Sequence, residues 1–114
     1  DKLKQVLFNI VGNSLKYTEK GSVRVSAAII EGFVKVSIED TGIGIPLANQ
    51  SLLFRKFQQA GSSTLTRDAA KGTGLGLFIS KLIVEGMGGK ISLEKSVIGK
   101  GSIFTFTLPT VKLK

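Results

Sequence analysis

With 114 residues, 42% of them hydrophobic, the chain is long enough for one domain with a real core and too short to suggest two. It has no cysteine, which excludes a disulfide framework and a thiolate metal site, and no histidine, which excludes the usual general base, a histidine metal site and a phosphorylatable histidine. The net charge of +8 admits nucleic acid, an acidic partner surface or an anionic ligand; scattered basic residues and 7% aromatic content argue against nucleic acid. No apolar run approaches the ~20 residues that span a bilayer, and the N-terminus lacks a signal pattern. The expectation is a single cytoplasmic domain over residues 1–114 with no direct membrane insertion.

From Lys2 to Tyr17 the apolar positions Leu3, Val6, Leu7, Ile10, Val11 and Leu15 recur at helical spacing, with Gly12 the only internal weakness. At about 100° per residue, Asn9, Asn13 and Lys16 fall in one stripe that borders the apolar arc, where a core meets a cleft. Gly21 stops the helix. Val23, Val25, Ala27 and Ile29 then alternate with polar and small residues, Glu31-Gly32 turns the chain, and Val34, Val36 and Ile38 alternate again, which predicts an antiparallel hairpin. Period two carries Asp40 onto the same face as Ile38, at the strand's end. A carboxylate there is costly without a partner, and it is read either as starting an Asx turn into Thr41-Gly42 or as waiting for a ligand.

Gly42 and Gly44 break the strand, and Pro46 suits the first turn of a short helix from about Pro46 to Phe57, anchored by Leu53, Phe54 and Phe57. The run from Gln58 to Lys71 is small and polar without periodicity. A loop of that length in a compact domain is functional or disordered, and its functional version is a lid over a ligand. Gly72, Gly74 and Gly76 then run into a helix whose apolar positions are Leu75, Phe78, Ile79, Leu82 and Ile83, ended by Gly86-Met87-Gly88-Gly89. Exposed amides and a helix dipole suit such a loop to cradle phosphate, although a glycine triplet alone is weak evidence. Ile91 and Leu93 mark one strand, Ile98-Gly99-Lys100-Gly101 a turn, and Phe104, Phe106 and Leu108 the core face of a last strand before Pro109. The order predicts an α+β fold, a two-layer sandwich with a mostly antiparallel sheet packed under helices.

Taken together, these segments bear a family resemblance. Asn9-x-x-x-Asn13-x-x-Lys16-Tyr17 resembles the N box, Asp40-x-Gly42-x-Gly44 the first glycine box, Phe54-x-x-Phe57 the F box and Gly72-x-Gly74-x-Gly76 the second glycine box of two-component sensor histidine kinases. The four occur in the family's order. They imply the catalytic ATP-binding domain with the Bergerat fold shared by gyrase, heat-shock chaperone and mismatch-repair ATPases, with residues 59–73 as its ATP lid. The start departs from the family pattern, since relatives usually carry another strand before the N box. The chain therefore resembles an N-terminally truncated member whose exposed sheet edge could support self-association. Ser14 stands where alanine is usual and looks harmless.

The resemblance also implies roles. Asp40 accepts a hydrogen bond from the exocyclic amine of adenine, Asn13 holds Mg²⁺ through its side-chain oxygen, Asn9 lies beside it, and Lys16 reaches the phosphates. Tyr17, Gly42, Gly44, Ile45 and Leu77 line the nucleotide site; Gly72, Thr73, Gly74, Leu75 and Gly76 close the lid; Ser102 reaches adenine through water. Arg67 and Lys71 are weaker candidates as charge partners. Asn9 is the amide counterpart of a glutamate base in the hydrolytic relatives, so with Lys16 it points to phosphoryl transfer rather than hydrolysis. The acceptor is then a histidine on a separate helical dimerisation domain, from which a response regulator is served indirectly. The alternatives are an anti-sigma-factor type serine kinase of the same fold and a non-catalytic nucleotide-binding module. A Rossmann unit is disfavoured because the glycines follow a polar loop and Leu77 replaces the third fingerprint glycine.

Overall fold

A computed structural model describes residues 1–55 and 76–110; the predicted lid, Phe57, Arg67, Lys71, Gly72, Thr73, Gly74 and Leu75 lie outside them. The elements are α1 (Lys2–Lys16), β1 (Val23–Ile30), β2 (Phe33–Asp40), α2 (Leu47–Gln50), α3 (Gly76–Gly86), β3 (Lys90–Val97) and β4 (Gly101–Pro109). Asp1 caps α1, its Oδ1 accepting from Lys4 N at 2.9 Å. Glu31 and Gly32 both take positive φ, 45° and 87°, the geometry whose twist matches a two-residue hairpin. Among the described residues the strands form one antiparallel sheet in the order β1-β2-β4-β3. The long segment between β2 and β3 lets β4 insert beside β2, so the two hairpins meet along β2 and β4.

Both long helices cover one face of this sheet. α1 packs on α3 and over β2, while α3 lies over β3 and β4. The core between the layers is Val6 and Ile10 from α1, Val84 from α3, Ile38 from β2, and Phe104 and Phe106 from β4, with Ile45 and Leu53 closing one end. Phe54 meets the Phe104 ring edge-on at 6.2 Å and 83°, a favoured aromatic geometry. The opposite face carries Ile30 and Phe33 beside the solvent-accessible pairs Arg24–Glu39 at 3.5 Å and Lys35–Glu94 at 3.1 Å, each worth little.

Several expectations need correction. The short helix is α-helical only over Leu47–Gln50 and continues as tighter turns, with Leu52 N bonded to Asn49 O and Arg55 N to Leu52 O. Pro46 is its N-cap rather than a first-turn residue. Val25 and Ile29 are exposed because β1 is an edge strand and the helices lie chiefly over its neighbours; only Val23, opposite Asp40, packs on the core. Leu3, Leu15 and Leu82 are also exposed. The faces that meet the sheet are narrower than the apolar arcs, centred on Val6, Ile10 and Ser14 in α1 and on Ser80 and Val84 in α3.

Ser14 is therefore not neutral. It is 1% exposed, and its hydroxyl has no hydrogen-bond partner among the described residues. An unpaired buried hydroxyl costs about 1–3 kcal/mol and serine is a poorer helix former than alanine. Ser14→Ala is expected to raise stability by about 1 kcal/mol, read as a higher urea midpoint with unchanged m; an unchanged or lower midpoint would contradict the burial of this hydroxyl.

Candidate functional site

Where β2 ends, the chain leaves the sheet through residues 41–46, and Asp40 remains 5% exposed at the edge of the core. Its Oδ1 accepts from Gly42 N at 2.9 Å and from Ser102 N at 3.3 Å. The first bond is an Asx turn, and the second follows from the register that sets Ser102 opposite Asp40. Among the described residues Oδ2 accepts no hydrogen bond. The Asx-turn reading of Asp40 thus accounts for one oxygen, and the other has no donor among the described residues.

The loop itself is tied on two sides. Toward α1, Ile43 N donates to Tyr17 O at 3.1 Å, and a Cβ on Gly42 would strike that same carbonyl. Toward the β3–β4 hairpin, Gly99 N donates to Ile43 O at 2.9 Å, Ile45 N donates to Ser96 Oγ at 2.8 Å, and Ser96 Oγ shares a 2.8 Å hydrogen bond with Ser102 Oγ. Gly44, at φ 78°, leaves no room for a side chain against Val97 O. Gln50 Nε2 donates to Ile45 O at 2.9 Å. Ile45 is buried within the core, so the loop is anchored by packing as well as by hydrogen bonds.

The α1 stripe lies as its spacing predicts: Asn9 and Asn13 are half-buried at the border of the core and Lys16 is exposed. Lys16 Nζ sits 5.7 Å from the centre of the Tyr17 ring, within cation–π range. Burial pushes the Tyr17 phenol above its ordinary pKa by desolvating the phenolate, so it is neutral at neutral pH. Asn9 Nδ2 donates to Gly76 O and to Ser80 Oγ, each at 3.2 Å. α1 therefore meets the start of α3 at Asn9 and, through its C-cap Tyr17, the loop after Asp40. At 1.5 Å per residue these two points are about 12 Å apart along the axis. Gly76 and Leu77 lie at the first turn of α3, and Leu77 is half-buried against the core.

Among the predicted residues, then, Asp40, Gly42, Ile45, Ser102 and Tyr17 are brought into one bonded cluster, Gly44 lies within its loop, and Asn9 joins Gly76. Ser102 touches the carboxylate directly, through its backbone N–H. Three side chains that take part are absent from the sequence reading, Ser96, Ser80 and Gln50. A bulge between Leu93 and Lys95 shifts β3 by one residue, so Ser96 comes to face Ser102 although strict period two assigns it the opposite face from Leu93. Ser80 was legible as a polar residue at the helical phase of Leu77 and Val84. A wider groove of about 500 Å³, lined by residues that include Ile30, Phe33, Lys35 and Lys90, holds none of the predicted site residues. Among the described residues no three His, Cys, Asp or Glu side chains gather as a metal cage.

This fold and this cluster define the chain's class. It belongs to the histidine kinase-, DNA gyrase B- and HSP90-like ATPase family, whose profile matches residues 1–112. It is similar to the sensor histidine kinase AruS of Pseudomonas aeruginosa, 42% identical over 111 residues that cover 93% of this chain and 11% of AruS. It is equally similar to the signal transduction histidine-protein kinase BarA of Escherichia coli, 42% identical over 110 residues that cover 92% of this chain and 12% of BarA. The chain thus spans only about an eighth of these relatives. Among solved structures, full-length ShkA in complex with AMPPNP superposes with a TM-score of 0.79 at 34% identity, over 95% of this chain and 21% of ShkA. The nucleotide-free catalytic domain of the histidine kinase ThkA gives 0.75 at 33% identity, over 95% of this chain and 66% of that one.

The bonds at Ser96 hold the loop after Asp40 against the last hairpin. Ser96→Ala leaves Ile45 N without its acceptor and is expected to cost about 1–3 kcal/mol, measured by urea unfolding; a loss below about 0.3 kcal/mol would show that this bond does not hold the loop.

Proposed function

We propose that the chain binds Mg²⁺-ATP between α1 and the loop after β2, and supplies the γ-phosphoryl group to a histidine on a separate helical domain in two-component signalling. The observation that carries this reading is the buried Asp40 carboxylate, with Oδ1 fixed by two backbone donors and Oδ2 without a partner among the described residues. A carboxylate can only accept. Adenine presents an exocyclic amine where guanine presents a carbonyl, so a fixed acceptor here selects adenine. The complex of ShkA with AMPPNP, an analogue of ATP, supports the same ligand class.

From Asp40 the remaining residues follow the length of a nucleotide. Tyr17 and Ile45 flank the base, with Ser102 behind it, and the 12 Å of α1 toward Asn9 is comparable with the reach from adenine to the terminal phosphates. Lys16 supplies a cation for those phosphates. Asn13 and Asn9 offer amide oxygens, hard neutral donors that suit Mg²⁺, a cation that completes its shell with phosphate oxygens and water. A bound Mg²⁺ supplies charge neutralisation across the phosphates. Gly76, with Gly72, Thr73, Gly74 and Leu75 before it, belongs to the lid end of the site, and Leu77 follows it into α3.

Asn9 also bears on the type of reaction. Its amide has no lone pair basic enough to take a proton from water, so the chain lacks a general base for hydrolysis at this position. Transfer to a nucleophile delivered by another domain fits this better. The relatives of which the chain spans a small part are sensor kinases, and a phosphoacceptor domain and a response regulator are the partners this reading requires. The reading places the chain on the cytoplasmic side, where ATP is found.

Asp40→Asn is expected to weaken ATP binding about tenfold, since a hydrogen bond to a charged acceptor contributes about 1.5–3 kcal/mol. Calorimetric titration with ATP, ADP and GTP, with and without Mg²⁺, checks this; equal affinity for ATP and GTP, or unchanged affinity in a folded Asp40→Asn variant, overturns the adenine assignment. The chain alone, incubated with γ-labelled ATP, is expected to remain unlabelled because it contains no histidine.

A further inference from the structure

Ser80 is wholly buried in α3, at a phase otherwise occupied by Leu77 and Val84. Nothing in the proposed binding of Mg²⁺-ATP uses it. A buried hydroxyl is costly unless hydrogen-bonded, and alanine would fill nearly the same volume in a helix at no such cost. What the hydroxyl does is meet Asn9 across the interface between α1 and α3, its Oγ lying 3.2 Å from Asn9 Nδ2.

The second partner of that nitrogen settles the orientation of the amide. Gly76 O, also at 3.2 Å, is a carbonyl and can only accept. The end of the Asn9 side chain that faces α3 must therefore be the NH₂ group. With Gly76 O taking one hydrogen and Ser80 Oγ the other, both donors are used, and Oδ1 is held beside Gly76, 4.0 Å from where a Cβ on that glycine would lie. A single bond to Gly76 O would leave the amide free to swing about that contact; two acceptors on neighbouring turns of one helix fix its plane.

We propose that Ser80 is a positioning residue, which holds the Asn9 amide in one orientation so that Oδ1 is presented to the metal and phosphate end of the ligand. This rests on the placement of the α1 asparagines at a Mg²⁺-ATP site. Its chemical content is preorganisation: an oxygen already aimed at the ligand loses no rotational freedom when the ligand arrives. It also joins the start of α3, at Gly76, to α1 through one side chain.

The test compares wild type, Ser80→Ala, Asn9→Ala and the double variant of the same chain, titrated with ATP in the presence of Mg²⁺ and with adenosine alone. Ser80→Ala is expected to weaken Mg²⁺-ATP binding about fivefold, the net effect of one neutral hydrogen bond, and to leave adenosine affinity within about twofold of wild type. In the Asn9→Ala background it is expected to have no further effect, because Ser80 acts through Asn9. The side-chain amide signals of Asn9 in a nitrogen–proton spectrum are expected to be protected from solvent exchange in wild type and unprotected in Ser80→Ala. If Ser80→Ala proves too unstable, Ser80→Cys, similar in size and a weak acceptor, takes its place with the same expected readouts.

Unchanged Mg²⁺-ATP affinity with unchanged Asn9 protection overturns the proposal alone. So does an equal loss for adenosine and Mg²⁺-ATP, or an effect that adds to that of Asn9→Ala, since either assigns Ser80 a general structural role. A wild-type chain that binds no nucleotide overturns the reading of the site and this proposal with it.

Discussion

The buried carboxylate of Asp40 constrains more of this molecule than any other single group. A charge at the margin of an apolar core is unstable unless hydrogen bonds replace its lost water, and here two backbone N–H groups supply them. Each donor depends on a different part of the chain. Gly42 N is aimed by the turn that immediately follows β2, whereas Ser102 N is delivered by β4 through the pairing of the two central strands. Gly101, at φ 119°, makes that delivery possible, because a side chain there would collide with Asp40 O. The inner strand order and the conformation of the first glycine loop thus meet at one oxygen atom, and the other oxygen has no donor among the described residues.

Around that point the polar groups form a lattice tying three elements that the hydrophobic core alone would not hold in register. Tyr17 O receives the loop from one side, and Ser96 and Ile43 O tie it to the last hairpin on the other. The core itself lies deeper, where Val6, Ile10 and Val84 from the helices meet Ile38, Phe104 and Phe106 from the sheet. Hydrophobic burial fixes how far the helices stand from the sheet, but it is non-directional and tolerates small rotations. The directional bonds at the rim remove that freedom where the loop after Asp40 meets α1 and the last hairpin.

How much of this was legible in the sequence depended on periodicity. The hairpin at Glu31-Gly32, the inward face of β4 at Phe104 and Phe106, and the border position of Asn9 and Asn13 were all readable, because each follows from an unbroken period of two or of about 3.6. The reading failed where a period was broken or where a tertiary neighbour decided the outcome. The bulge in β3 hid Ser96 by reversing the faces after Leu93. The exposure of Val25 and Ile29 could not be read from their alternation, because a strand's own pattern does not say whether a helix lies above it. Leu15 and Leu82 belong to apolar arcs wider than the faces that meet the sheet, and the continuation from Pro46 toward Phe57 lost its helical form where tighter turns brought Leu53 and Phe54 onto the core.

Asn9 shows how one residue type can be selected by two demands at once. The carbonyl of Gly76 requires a donor at the tip of this side chain, while the proposed Mg²⁺-ATP site calls for an acceptor. A carboxylate would meet the second demand and violate the first, setting its oxygen against the Gly76 carbonyl oxygen with no hydrogen between them. A lysine or arginine would do the reverse. An amide carries both functions on one planar group, and asparagine does so at a length that lets Asn9 on α1 reach Gly76 and Ser80 on α3. The group that joins the two helices is then one that takes up no proton at neutral pH.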